Sequence, residues 1–212
     1  MVGIFLGSFD PPHIGHLSIV SAALDTVQKV IVVPALSNPW KKNQTPWEIR
    51  YRLCEEAFSA YRGKVEISSA EPTIVTDPEL QKKFYSEDDI ETNRRKTVPS
   101  YVLLRYLRDK YGEDSFLVTT VETFQEIKGW NHGIDVLKEN KILLIQQEKN
   151  KTLLASPWTN VLSVFPSLDH IKISSTQIRE RIKECRIVHE YLPRKTEELI
   201  NELNLYKEIC QS

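Results

Sequence analysis

Short, uninterrupted apolar runs alternating with amphipathic stretches constrain this chain more than any other feature. Residues 2–6, 30–33, 65–67, 116–118, 142–145 and 161–165 read as strands that are apolar throughout or nearly so. Between them lie helical patterns. Residues 13–24 turn Ile14, Leu17, Ile19, Val20 and Leu24 inward, and residues 47–61 do the same with Ile49, Leu53, Ala57 and Ala60. Residues 100–111 and 175–185 are helical, and a last helix follows Pro193 and runs to about residue 209. Strands apolar on both faces and separated by helices belong to a parallel sheet covered on both sides. The expected fold is therefore α/β: a Rossmann-like, doubly wound, mostly parallel sheet with helices on both faces. Such sheets bind ligands beyond the carboxyl ends of their strands, where the strand order reverses.

No repeat and no Pro/Gly/Ser-rich linker divides the 212 residues, so residues 1–212 are read as one domain, with residues 175–212 as its C-terminal helical part. Residues 68–96 are polar, acidic at Glu87, Asp88 and Asp89, and poor in periodicity. They read as a long surface excursion. A formal net charge of −1 argues against a protein built to grip a nucleic-acid backbone. No apolar run approaches the roughly 20 residues needed to span a bilayer. The first strand has no basic segment ahead of it, so no secretory signal is expected. The three cysteines, Cys54, Cys185 and Cys210, lack metal-type spacing and suit a reducing cytoplasm better than a disulfide scaffold.

Directly after the first strand comes Gly7-Ser8-Phe9-Asp10-Pro11-Pro12-His13-Ile14-Gly15-His16. Gly7 ends the strand where the backbone either approaches a ligand or takes an unusual φ. His13 and His16, three apart at a helix start, lie on one face, at the end where backbone amides and the helix dipole favour an anion. Two imidazoles there can donate hydrogen bonds to a polyphosphate and neutralise charge that develops in phosphoryl transfer. Spacing alone also permits a metal pair or two solvated histidines. A second cluster, Ile173-Ser174-Ser175-Thr176-Gln177-Ile178-Arg179, places three N-capping residue types one turn ahead of a guanidinium. By itself it reads as an ordinary capped helix.

Together the two clusters resemble the paired signatures of the HxGH nucleotidyltransferase superfamily and, within it, the bacterial nicotinate (or nicotinamide) mononucleotide adenylyltransferases. The resemblance extends to Lys41 in the loop after the second strand, Arg50 in an R-x-x-M-x-x-x-A-like helix, and Ser100-Tyr101-Val102 in place of a Ser-Tyr-Thr segment. It also covers Thr120-Val121-Glu122 with Phe124, Ile127 and Trp130 in register, where the family carries glycine and aspartate at the positions of Thr120 and Glu122. It implies an enzyme that joins ATP to a pyridine mononucleotide, with Mg²⁺ carried on the ATP phosphates and no metal cage of the protein's own. His13, His16 and Arg179 are implied as the catalytic groups. Gly7, Ser8, Phe9, Gly15, His16, Glu122, Ser174, Ser175, Thr176 and Arg179 would bind ATP, and Ser8, Phe9, Lys41, Tyr101, Val102 and Trp130 the mononucleotide. Two other readings stay open: a related adenylyl- or cytidylyltransferase with another phosphate acceptor, and a nucleotide-binding module with weak catalysis.

Overall fold

The structure, a computed structural model, describes residues 1–37, 43–87, 89, 97–146, 160–164 and 173–207. Six strands form one sheet: β1 (Val2–Gly7), β2 (Lys29–Pro34), β3 (Val65–Ile67), β4 (Ser115–Thr120), β5 (Lys141–Ile145) and β6 (Val161–Val164). Their order is β3-β2-β1-β4-β5-β6, and every neighbouring pair is parallel. The order runs down to β1 and then jumps to β4, which is the doubly wound arrangement the sequence pattern predicts. The switch lies between β1 and β4, whose registers pair Phe5 with Val118.

Alternation along each strand separates two cores. Ile4, Ile31, Val33, Leu117, Ile142 and Leu144 face one layer, and Phe5, Val30, Val32, Val118, Leu143 and Ile145 face the other. The second layer is covered by α1 (Ile14–Leu24) through Ile19, Val20, Ala22 and Ala23, and by α2 (Trp47–Ala57) through Cys54 and Ala57. Ile14, Leu17 and Leu24 are only half-buried, and Ala60 is exposed in a short 3₁₀ turn, Ser59–Tyr61, that follows α2.

The reading of residues 68–96 as a surface excursion is corrected over residues 68–87. Here α3 (Ala70–Thr76) and α4 (Pro78–Phe84) form, and Ala70, Ile74 and Phe84 join the first core layer. Asp77 caps α4 by accepting from the Glu79 and Leu80 amides, with Pro78 in the first turn. That Asp-Pro start signal stands in the sequence, but each helix is only seven residues long, too short to display a period. Residues 88 and 90–96 lie outside the described residues.

The first layer is completed by α5 (Ser100–Tyr111) and by α6 (Val121–Glu126) and α7 (Gly133–Glu139) after β4. A third cluster joins Leu53 of α2 to α8 (Ser175–Lys183) and α9 (Arg194–Glu202). The last helix is shorter than the pattern suggests. Asn204 takes a left-handed φ of 50°, and the Leu205 amide donates back to the Ile200 carbonyl at 3.0 Å, a Schellman stop. Cys54 is a buried free thiol, whereas Cys185 is disulfide-bonded, so the expectation of unpaired cysteines fails at Cys185. Among the described residues no helix is long and apolar enough to cross a membrane.

Candidate active site

The site grows from the carboxyl end of β1. Phe9 has φ 48°, a left-handed conformation that a bulky residue adopts only under constraint, and its ring is 1% exposed. The ring stands edge-on to Phe5 (centroids 5.3 Å apart), to Phe58 (6.4 Å) and to His16 (4.9 Å). Gly7 is required beneath it, since a Cβ there would lie 2.8 Å from the Phe9 ring. The structure gives Gly7 a reason the sequence does not show: the glycine makes room for the aromatic floor that carries His16. Gly15 plays the same part for His13, whose ring would meet a Cβ at 3.0 Å.

His13 is the extended N-cap of α1, and the two imidazoles form a reciprocal capping box. The Gly15 amide donates to His13 Nδ1 at 3.2 Å, and the His13 amide donates to His16 Nδ1 at 3.1 Å. An accepting Nδ1 places the proton of a neutral ring on Nε2. Both rings, 3.8 Å apart, are therefore set as Nε2–H donors. Burial lowers His13 to a pKa of about 4, so without a ligand its ring is neutral at physiological pH and set as a hydrogen-bond donor. The expected anion site on α1 amides is corrected too. The Ile14 amide donates to the Tyr191 carbonyl at 3.0 Å, and the His16 amide to the His13 carbonyl at 2.8 Å.

The second signature meets the first across more than 160 residues of chain. Arg179 Nη1 donates to the Asp10 carbonyl at 2.7 Å, and Ser175 Oγ donates to the Pro11 carbonyl at 2.9 Å. Arg179 Nη2 reaches the Thr176 hydroxyl at 3.3 Å, and Ser174 closes a capping box with Gln177. Two of the three expected phosphate-binding hydroxyls, Ser174 and Ser175, are thus used to fasten α8. Ser8 and Gly7 sit half-buried beside Phe9.

On the β4 side, Thr120 caps α6 toward the Thr123 amide, Glu122 is exposed in the first turn, and Trp130 is half-buried against the first core layer. Tyr101 and Val102, expected at the pyridine, are 2% and 0% exposed. The Tyr101 hydroxyl donates to Asp89 at 2.5 Å and its ring lies 4.4 Å from that of His132, so its side chain is engaged inside the protein. Lys41 lies outside the described residues.

Residues that the sequence reading left without a role close the site. Arg50 is 1% exposed, and its guanidinium donates to three carbonyls, those of Thr45 (2.7 Å), Ser8 (2.7 Å) and Leu36 (3.1 Å). Glu71 of α3 accepts from the Leu36 amide at 2.7 Å, and burial lifts its carboxyl to about pH 7. Nothing local in the sequence marks Glu71, because its partner is 35 residues away.

These two buried groups oppose each other in pH. The unfolded chain protonates His13 below about pH 6.5 while the folded one resists until about 4, so this contribution is full above 6.5 and is lost as pH falls. Folded Glu71 keeps its proton up to about 7 where the unfolded chain releases it near 4.5, so its contribution is lost as pH rises through that window. Each is worth on the order of 3 kcal/mol, and between pH 4.5 and 6.5 they offset. Glu71→Gln is expected to raise the thermal midpoint at pH 8 and to leave it nearly unchanged at pH 4.5. Equal midpoints of variant and wild type at pH 8 would contradict the assignment.

Neutral donors and a guanidinium are gathered at the switch point of a doubly wound sheet, and the relatives place this arrangement in a nucleotidyltransferase. The cytidylyltransferase-like family matches residues 4–181. The "Probable nicotinate-nucleotide adenylyltransferase" of Clostridium perfringens strain 13 is 28% identical over 220 residues, covering 97% of this chain and 98% of that one. Its namesake in Clostridium botulinum strain Okra is 30% identical over 212 residues, covering 95% and 96%. In fold, the chain matches the Plasmodium falciparum nicotinic acid mononucleotide adenylyltransferase complexed with NaAD, with a TM-score of 0.70 at 16% identity, covering 97% and 96%. The chain belongs to the cytidylyltransferase-like family and, within it, to the nicotinate-nucleotide adenylyltransferases.

Proposed function

We propose that this chain joins ATP and nicotinate mononucleotide into the dinucleotide, releasing pyrophosphate, as a step of NAD biosynthesis. Full-length similarity to relatives named for that reaction supports the activity. The single structural observation that carries the site is the convergence of Arg179 and Ser175 on the carbonyls of Asp10 and Pro11, beside the paired histidines. A 5′-phosphate oxygen of the mononucleotide attacks the α-phosphorus in line. One P–O bond forms, the bond to the β-phosphate oxygen breaks, and pyrophosphate leaves with the electron pair. Such a transfer asks for positioning and charge stabilisation, with no protein nucleophile.

His16 and His13 donate from Nε2 to the α- and β-phosphates, and Arg179, with Thr176, holds the departing pyrophosphate. Gly7, Ser8 and Phe9 offer backbone to both nucleotides, and Glu122 faces the ribose. Trp130 stacks on the pyridine, and the first turn of α5 at Tyr101 and Val102 meets the pyridine substituent. Donors of this kind do not ligate a cation, so Mg²⁺ would be held by the phosphates and would offset their charge. Among the described residues no three His, Cys, Asp or Glu side chains are gathered as a metal site. An ATP-consuming step belongs with the intracellular ATP pool, which argues for the cytoplasm.

The deciding experiment is pyrophosphate release from ATP with nicotinate mononucleotide, nicotinamide mononucleotide or phosphopantetheine, each offered separately. Release with the nicotinate acceptor at the highest kcat/KM is expected. Preference for phosphopantetheine would assign a sibling transferase, and no release with any acceptor would leave a nucleotide-binding module. Thr120 adds a side chain where the family carries glycine. Thr120→Gly is expected to lower the KM for ATP several-fold at a stability cost of a few tenths of a kcal/mol, the usual loss for glycine at an N-cap. An unchanged KM would remove adenosine from this position.

A further inference from the structure

The loop carrying the first signature is fastened from the far end of the chain, and its hub is Asp10. This residue is 3% exposed. Its carboxylate accepts from the Tyr206 hydroxyl at 2.7 Å on Oδ1 and from the Thr45 amide at 3.3 Å on Oδ2, while its backbone carbonyl receives Arg179 at 2.7 Å. The Thr45 carbonyl in turn accepts from Arg50 Nε. Tyr206 itself has φ 62° and follows the Schellman stop of α9, a turn that sends the chain back toward the N-terminal signature. Burial and the neighbouring Asp10 charge push its phenol far above the usual range, so the hydroxyl keeps its proton and remains a donor at any working pH.

We propose that Tyr206 is a positioning residue for the transfer, acting through Asp10 on the aim of Arg179. A buried carboxylate oxygen that loses its donor must turn or find another one. The remaining tie to Thr45, at 3.3 Å, is the longer of the two and does not hold the carboxylate by itself. The backbone carbonyl of the same residue orients Arg179, so any shift of the Asp10 backbone that follows loss of the tie would move that guanidinium. Small misplacements of a phosphate-gripping group cost rate steeply, up to about a hundredfold for 1 Å. The inference rests on the adenylyltransferase reading for its kinetic consequence, while its effect on binding to the phosphate chain stands apart from the choice of acceptor.

Tyr206→Phe tests it. The ring keeps its place beside the α8–α9 cluster, and only the hydroxyl is lost. The variant is expected to show a kcat about tenfold lower, a Kd for ATP several-fold weaker, and an unchanged Kd for AMP, which lacks the β- and γ-phosphates. In a cycle with Asp10→Ala, which removes the acceptor altogether, the double variant is expected to lose little beyond Asp10→Ala alone, because the hydroxyl then has no carboxylate left to hold. A lowered thermal midpoint with kcat and the ATP-to-AMP affinity ratio both at wild-type values would overturn the proposal and leave Tyr206 a packing residue. If the wild type turns over none of the acceptors, the functional reading fails, and the affinity ratio alone then decides the role of Tyr206.

Discussion

His16→Ala is expected to lower turnover by about 10²–10³-fold, the usual loss when one preorganised donor to a developing oxyanion is removed. The imidazole lies edge-on to the buried Phe9 ring and its Nδ1 is held by the His13 amide, so its Nε2–H is aimed before substrate arrives. Alanine removes both the donor and the reciprocal half of the capping box. Loss of such a cap costs about 1 kcal/mol, which in a chain of this size lowers the thermal midpoint by about 2–4 °C. The expected signature is therefore a collapse of kcat in a protein that still unfolds cooperatively within a few degrees of wild type. Pyrophosphate release and a thermal melt on the same preparation read both quantities. Turnover within a factor of a few of wild type would remove His16 from the transfer.

The second large effect concerns stability. Arg50→Met is expected to cost about 3–5 kcal/mol, because three partly buried carbonyls lose their donor at once and each unmet group costs about 1–3 kcal/mol. Those carbonyls, of Ser8, Leu36 and Thr45, belong to the loops that follow β1 and β2, so the change loosens the walls of the site along with the fold. Lysine does not replace it. An ammonium donates from one point, whereas the guanidinium fork spreads its donors in a plane toward three separate strands of chain. Removing the Arg50 charge is also expected to push Glu71 still higher, since that charge is one of the influences lowering it. Urea unfolding measures the loss, and turnover normalised to folded protein measures the effect on the site. An Arg50→Lys variant as stable and active as wild type would contradict this role.

Much of the site was legible because its groups are local. His13 and His16 announce themselves by adjacency on one helical turn, and Ser174 to Arg179 by a capping pattern followed by a guanidinium. Burial is less legible. Tyr101 looked like a ligand contact, but its ring is taken up by His132 and its hydroxyl by Asp89. Arg50 was visible as a residue in a helical pattern, yet its work lies in three carbonyls 5, 14 and 42 residues away. Glu71 sat in a stretch that looked like loose surface, because helices of seven residues are too short to show a period.

The sequence by itself determined the layered parallel sheet, since strands apolar on both faces suit a sheet covered on both sides, and it determined the histidine and Ser174–Arg179 clusters, since local spacing on a helix sets which side chains share a face. Tertiary structure decided how those clusters work together. Only folding brings Arg179 and Tyr206 to Asp10, locks Phe9 in a left-handed turn under His16, and withdraws His13 from water until its ring is neutral. Hydrogen bonds between distant segments and the cost of burying an ionisable group depend on neighbours that no linear pattern records.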